Sequence, residues 1–144
     1  MSAVDDVDQL IEQFYLGANE LLKGNPEPVH KLWSRRDDVT LANPFGPPVH
    51  GWDEVAKTGD LAASQVRDGE LVSVEIVEKL VTSELAYVVE IERSKAKIGG
   101  SEDITPFALR VTMIFRPEDG TWKIVHRHAD PITSARPAES VIQE

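Results

Sequence analysis

The chain contains no cysteine. That absence excludes a disulfide framework, a thiolate metal site and a cysteine nucleophile, and it fits a reducing compartment. Cations are also in the minority. Lys plus Arg is 15 against 25 for Asp plus Glu, a formal net charge of −10. Phosphate backbones and anionic lipid surfaces repel such a chain, so neither nucleic acid nor a membrane is expected as a partner. No apolar run approaches the ~20 residues of a membrane-spanning helix. The opening Met1-Ser2-Ala3-Val4-Asp5-Asp6 has neither the basic region nor the apolar stretch of an export signal, so a cytoplasmic location is expected. There is no phosphate-binding glycine loop, no Gly-x-Ser-x-Gly elbow and no His-Glu-x-x-His helix.

The 144 residues that are present suit one domain. A domain of this size buries roughly 68–70% of the surface its unfolded chain exposes, enough for a core and an internal cavity. Val4, Val7, Ile11, Phe14, Ala18 and Leu22 recur at helical spacing, with Ser2 placed to cap the start and Gly24 to close the end. Asn25-Pro26-Glu27 opens a second helix, expected to run to about Ser34. Val39–Asn43 reads as a short strand with Val39, Leu41 and Asn43 on one face. The turn Pro44-Phe45-Gly46-Pro47-Pro48 follows, and then a third helix from Trp52 to Asp68-Gly69. The remainder is β: Leu71–Val81, Glu84–Lys97, Ile104–Arg116 and a last strand after the turn Pro117-Glu118-Asp119-Gly120. Residues 1–132 are expected to form the single domain and 133–144 a mobile tail. The predicted fold class is α+β, a strongly curved antiparallel sheet with three N-terminal helices packed on its concave face. Long strands curled around helices make a cone, whose mouth is a natural ligand cavity.

The last strand carries the densest chemistry. Strict alternation through Trp122-Lys123-Ile124-Val125-His126-Arg127-His128-Ala129-Asp130 puts Trp122, Ile124, His126, His128 and Asp130 on one face. Two imidazoles and a carboxylate at the end of an inward face predict proton transfer, with His126 or His128 as carrier and Asp130 as modulator. The bland alternative is a histidine that packs and bonds to backbone. A metal held by the two histidines with Asp130, His30 or His50 lacks a fixed third ligand, so neither metal nor cofactor is expected. Tyr15 and Asn43 are candidate polar anchors for a ligand, although a Tyr at such a place also serves as core and an Asn before Pro as a turn residue. Trp33, Trp52 and Phe107 are candidate pocket walls. Arg110 is expected to pair with Glu90 or Glu92 on the adjacent strand.

Three segments carry a family resemblance over about residues 4–130. They are the opening helix ending Glu20-Leu21-Leu22-Lys23-Gly24-Asn25, the stretch Asp37–Gly46 with His50-Gly51 after it, and Asp119–His128. Together they resemble the nuclear transport factor 2-like superfamily, and within it the ketosteroid isomerase-like and SnoaL-like (polyketide cyclase-like) domains. The last segment is also similar to the association domain of calmodulin-dependent kinase II, a non-catalytic member. The resemblance implies a conical fold, a homodimer packed through the outer sheet face and a small, largely apolar organic ligand. If the protein is an enzyme, it implies cofactor-free isomerase, cyclase or hydratase chemistry. Ketosteroid isomerases carry a catalytic Asp just before a Pro in the matching stretch, and Asn43 stands at that position here. An amide cannot take up a proton as general base, which argues against steroid isomerisation by that mechanism. A non-catalytic ligand-binding or dimerisation module remains the alternative, since fold alone does not give function.

Overall fold

The computed structural model describes residues 2–143. Helix α1 (Ala3–Leu21) begins where the Ser2 hydroxyl accepts from the Asp5 amide at 3.2 Å. It ends at Gly24, whose φ of +97° suits glycine and lets the Asn25 amide reach back to the Glu20 carbonyl at 3.0 Å. Its buried stripe, Val7, Leu10, Ile11 and Phe14, lies on the sheet. Helix α2 spans only Glu27–His30. It is shorter than the sequence suggests because Leu32 and Ser34 turn their backbone to Ile124 of the last strand, at 2.9 and 3.0 Å. Helix α3 (Trp52–Ser64) follows the turn after two short strands, β1 (Thr40–Ala42) and β2 (Val49–His50).

Four long strands complete the molecule: β3 (Val66–Val81), β4 (Ala86–Ile98), β5 (Thr105–Glu118) and β6 (Thr121–Asp130). The sheet order is β2-β1-β6-β5-β4-β3, and the sheet is open. It is mixed rather than wholly antiparallel, because β1 runs parallel to β6. Strand β3 begins at Val66, where α3 was expected to continue. Arg67 pairs with Lys97, and an irregularity at Asp68–Gly69, with Asp68 at φ 53°, restarts the ladder at Glu70. Further irregularities after Leu71 and after Ile76 add to the curl of this edge strand. Beyond Asp130 the chain leaves the sheet, and a short 3-10 turn, Ala138–Val141, is exposed.

The decisive local feature lies in β6. Ile124 pairs with Phe115, yet His126 pairs with Ile114, so Val125 is an extra residue with no partner across the ladder. A bulge of this kind reverses the facing of every later side chain. Ile124 and Val125 are consecutive and both belong to the core. Past them Arg127 and Ala129 line the interior, whereas the ladder sets His126 beside Ile114, His128 beside Thr112 and Asp130 beside Arg110 on the convex side. The unbroken alternation expected from the sequence therefore has the wrong parity over the catalytic candidates.

Candidate functional site

A partly open cavity of about 350 Å³ is lined by residues of the three helices and the concave face of the sheet. Its walls are apolar: Phe14 and Leu21 from α1, Val29 and Trp33 from the α2 segment, Val55 and Ala62 from α3, and Leu109 from β5. Asn43, Pro44, Phe45 and Pro131 also border it. A larger hollow of about 1170 Å³ opens on the outside between α1 and the β3–β4 edge. Its lining includes Lys23, Lys31, Lys95, Glu20 and Glu70, all solvent-facing, so the smaller cavity is where charge meets a dry environment.

That charge is concentrated in one cluster. Arg127 grips Glu92 with both arms of its guanidinium, at 2.9 and 2.7 Å, and sits 4.8 Å above the Phe14 ring. The fork geometry matches a carboxylate bidentately, which makes this a strong contact. Glu92 is 4% exposed and Glu90 is 0% exposed. They share the inward face of β4 with Val88 and Ser94, because side chains two apart point the same way. Tyr15 on α1 donates its hydroxyl to Glu90 Oε1 at 2.8 Å. The second oxygen of Glu90, Oε2, is buried without a partner among the described residues.

A proton resolves that orphan atom. Burial, together with the hydrogen bond and negative charge of Glu92, pushes the Glu90 carboxyl up to about 8. Burial also works to raise Glu92, but the charge and fork of Arg127, with the hydrogen bond from Glu90, hold it below the usual carboxylate range. The Tyr15 phenol is raised well above its ordinary value by burial and by the neighbouring Glu90. At neutral pH the group is therefore Arg127 cationic, Glu92 anionic, and Glu90 and Tyr15 protonated. The site is neutral overall, and one proton sits beside the carboxylate that needs it.

A second polar element enters from the helices. His30 on α2 is 7% exposed and lines the cavity. Its Nε2 meets Asp60 Oδ1 of α3 at 2.8 Å, and its ring stands edge-on to Trp52 at 5.4 Å. Arg35 lies 3.8 Å over the same indole.

The residues expected from the sequence divide into three groups. Trp33, Asn43 and Phe107 border the cavity. Asn43 also spends its side-chain oxygen on the Phe45 amide at 3.0 Å, the turn role open to it. Tyr15 and Trp52 do not line it. Tyr15 acts through Glu90 and Trp52 through His30. His126, His128 and Asp130 are a correction, for the Val125 bulge turns them to the outside. There His126 Nδ1 meets the Thr40 hydroxyl at 2.7 Å, and burial together with the nearby His128 lowers its affinity for a proton. His128 meets Asp130 at 3.1 Å. Arg110 binds the same carboxylate at 3.0 and 2.8 Å, so its partner is Asp130 and not Glu90 or Glu92. Among the described residues no group of three His, Asp or Glu stands ready to hold a metal ion, and no helix is long and apolar enough to cross a membrane.

Glu90, Glu92, Arg127 and Asp60 are the site residues the sequence reading missed, and His30 entered it only as a possible metal ligand. One signal pointed to the carboxylates. Ala86, Val88, Ser94 and Ala96 are small or apolar residues at even positions of β4, and Glu90 and Glu92 interrupt that face.

These features lead to a family. The sequence matches the SnoaL-like domain over residues 7–133, and the chain belongs to that family. Solved structures agree on the fold. A proposed dehydratase of the nuclear transport factor 2-like family from Streptomyces avermitilis superposes with a TM-score of 0.74 at 19% identity, covering 92% of this chain and 98% of that one. A ketosteroid isomerase-like protein from Erwinia carotovora atroseptica gives 0.74 at 19% identity, covering 90% and 96%. A proposed calcium/calmodulin-dependent protein kinase type II association domain from Thiobacillus denitrificans gives 0.63 at 22%, covering 86% and 93%. No curated protein matches the sequence.

Removing one partner of a buried ion pair costs about 3–5 kcal/mol, because the other charge stays behind unpaired. Arg127→Met should lose that much in urea denaturation, and Arg127→Met with Glu92→Met should recover a large part of it. A double variant no more stable than the single one would show that the pair contributes packing rather than charge balance.

Glu90 fixes the sign of a pH effect. It binds its proton more tightly folded than unfolded, so its contribution is complete below the unfolded value near 4.5 and is lost as pH rises through about 8. Glu90→Gln keeps an acceptor for Tyr15 and supplies a permanent donor toward Glu92. Its melting temperature should fall less than that of the wild type between pH 6 and pH 9, and equal slopes would contradict a proton on Glu90.

Proposed function

We propose that the cavity binds a small, neutral, largely apolar organic molecule and performs cofactor-free acid–base chemistry on it, of the isomerase, cyclase or hydratase type. The observation that carries this reading is the charge-balanced cluster of Arg127, Glu92, Glu90 and Tyr15, of which Arg127 and Glu92 line a mostly apolar cavity. A guanidinium has five N–H donors. Glu92 takes one from each terminal nitrogen and Met113 Sδ lies 3.5 Å from Nη1, leaving donors for a carbonyl, hydroxyl or epoxide oxygen. A ligand anion would have to share that guanidinium with Glu92, so the site favours an uncharged polar group. The stored proton on Glu90 supplies an acid through Glu92. The neighbours described as dehydratase and ketosteroid isomerase-like are in line with this class of reaction.

The convex face supports the expected homodimer, and with it a second reading as an association module. The ladder aligns Leu80, Tyr87, Ile114 and His126 in one row and Val89, Thr112 and His128 in the next. Leu80 is 50% exposed at the edge of this strip, with Glu78 opposite Val89 beside it. A second copy of the chain covers it in this reading. Light scattering should give a dimer mass for the wild type and a monomer mass for Leu80→Glu, and an unchanged mass would remove this face from the interface.

Binding is tested with two flat probes of nearly equal size. 2-Naphthol is neutral at pH 7 and 2-naphthoate is anionic. The naphthol should raise the melting temperature, since a ligand at 100 times its Kd adds about 2.7 kcal/mol to the folded state, and the naphthoate should do so far less. Ala62→Phe, which fills the cavity from α3, should abolish the naphthol shift. Equal shifts by both probes, or a shift that survives Ala62→Phe, would overturn the proposed site.

A further inference from the structure

We infer that His30, oriented by Asp60, is the proton acceptor of this cavity and acts on a C–H bond made acidic by an adjacent carbonyl. The inference rests on the cavity being a ligand site and adds the group that starts the reaction.

The ring is built into place from every side. Asp60 accepts a hydrogen bond, so Nε2 carries the hydrogen and Nδ1 presents its lone pair. Nδ1 has no hydrogen-bond partner among the described residues, and it is not among their sealed-off orphan atoms. His30 thus lines the cavity, and its Nδ1 is left without a partner among the described residues. Trp52 stands at 88° to the ring and blocks its rotation. Gly59 gives it room, since a Cβ there would lie 2.8 Å from His30 Cε1. A histidine serving only to tie α2 to α3 would need the Asp60 bond but not a place in the cavity lining. The Asp60 side chain is 62% exposed, so the imidazolium formed by protonation is stabilised by a carboxylate that also touches water. The proton acquired in the cavity can leave by that route.

The two polar elements then have opposite tasks. His30 Nδ1 takes a proton from the carbon next to the carbonyl. The C–H electron pair becomes the new C=C bond, and the π pair of C=O moves onto oxygen. Arg127 donates a hydrogen bond to that oxygen, and the Glu90–Glu92 proton is available to complete the enol. Reversal returns a proton from His30 to carbon, so no oxidant, reductant or co-substrate is needed.

The probe is 2-tetralone, a neutral bicyclic ketone with acidic C–H bonds, followed by NMR in D₂O. The wild type should accelerate exchange of those protons for deuterium. General base catalysis contributes about 10²–10⁴-fold, so His30→Gln should lose acceleration on that scale while still binding 2-naphthol. Asp60→Asn, a change at a positioning residue, should lower the rate less and shift its pH profile. Full acceleration in His30→Gln would overturn the assignment. If His30→Gln does not fold, Asp60→Asn decides, and an unchanged rate and pH profile there would overturn it. A wild type that binds 2-naphthol but leaves the exchange rate at its background value would overturn this inference and leave the binding site standing. A wild type that binds neither compound would bring down both.

Discussion

The single unpaired residue Val125 determines what the cavity contains. Without the extra residue in β6, Arg127 would point outward beside Ile114 and Thr112, and two imidazoles would face Glu90 and Glu92. With it, the guanidinium meets Glu92 and the histidines join the convex face. The bulge is held by two separate contacts. Leu32 and Ser34 bond to Ile124 just before it, and β1 pairs with His126, Arg127 and His128 just after it. The segment that follows α2 and the parallel strand β1 thus act as a clamp on the parity of the last strand. A small change in backbone count far from any charge sets the electrostatics of the interior.

The resulting interior balances its charges locally. Burying a carboxylate or a guanidinium alone is expensive. Here Arg127 and Glu92 satisfy each other, Glu90 keeps its proton, and Tyr15 gives its hydroxyl to Glu90. Such a cluster is poor material for stability, since an apolar core of the same volume serves at least as well. Its position beside a mostly apolar cavity is what gives it meaning. The same cavity is lined by His30, whose partner Asp60 stays in contact with solvent.

Much of the fold was readable from residue pattern. The stripe from Val7 to Phe14, the Ser2 cap and the Gly24 stop define α1, and the inward row Phe107, Leu109, Val111, Met113 and Phe115 gives the correct face of β5. Of the expected pocket walls, Trp33 and Phe107 border the cavity and Trp52 does not, and the expected polar anchor Asn43 borders it as well. The failures share one cause. Hydrophobic periodicity reports local alternation, whereas a bulge is set by tertiary pairing, so nothing within Trp122–Asp130 announces that Val125 adds a residue. The carboxylates of β4 escaped notice for a related reason. Glu90 and Glu92 look like solvent-facing charges until register places them opposite Val111 and Leu109. His30 and Asp60 are 30 residues apart and meet only because α2 and α3 pack together.

The cluster draws its members from α1, β4 and β6, and it has a bearing on how the chain assembles. A partly formed molecule with β3, β4 and β5 paired but β6 undocked holds two acidic side chains on the surface that must become its interior, with no cation to answer them. Docking β6 delivers the cation and the closing wall in one event. The last strand therefore brings the cluster its guanidinium together with part of the wall that closes the cavity.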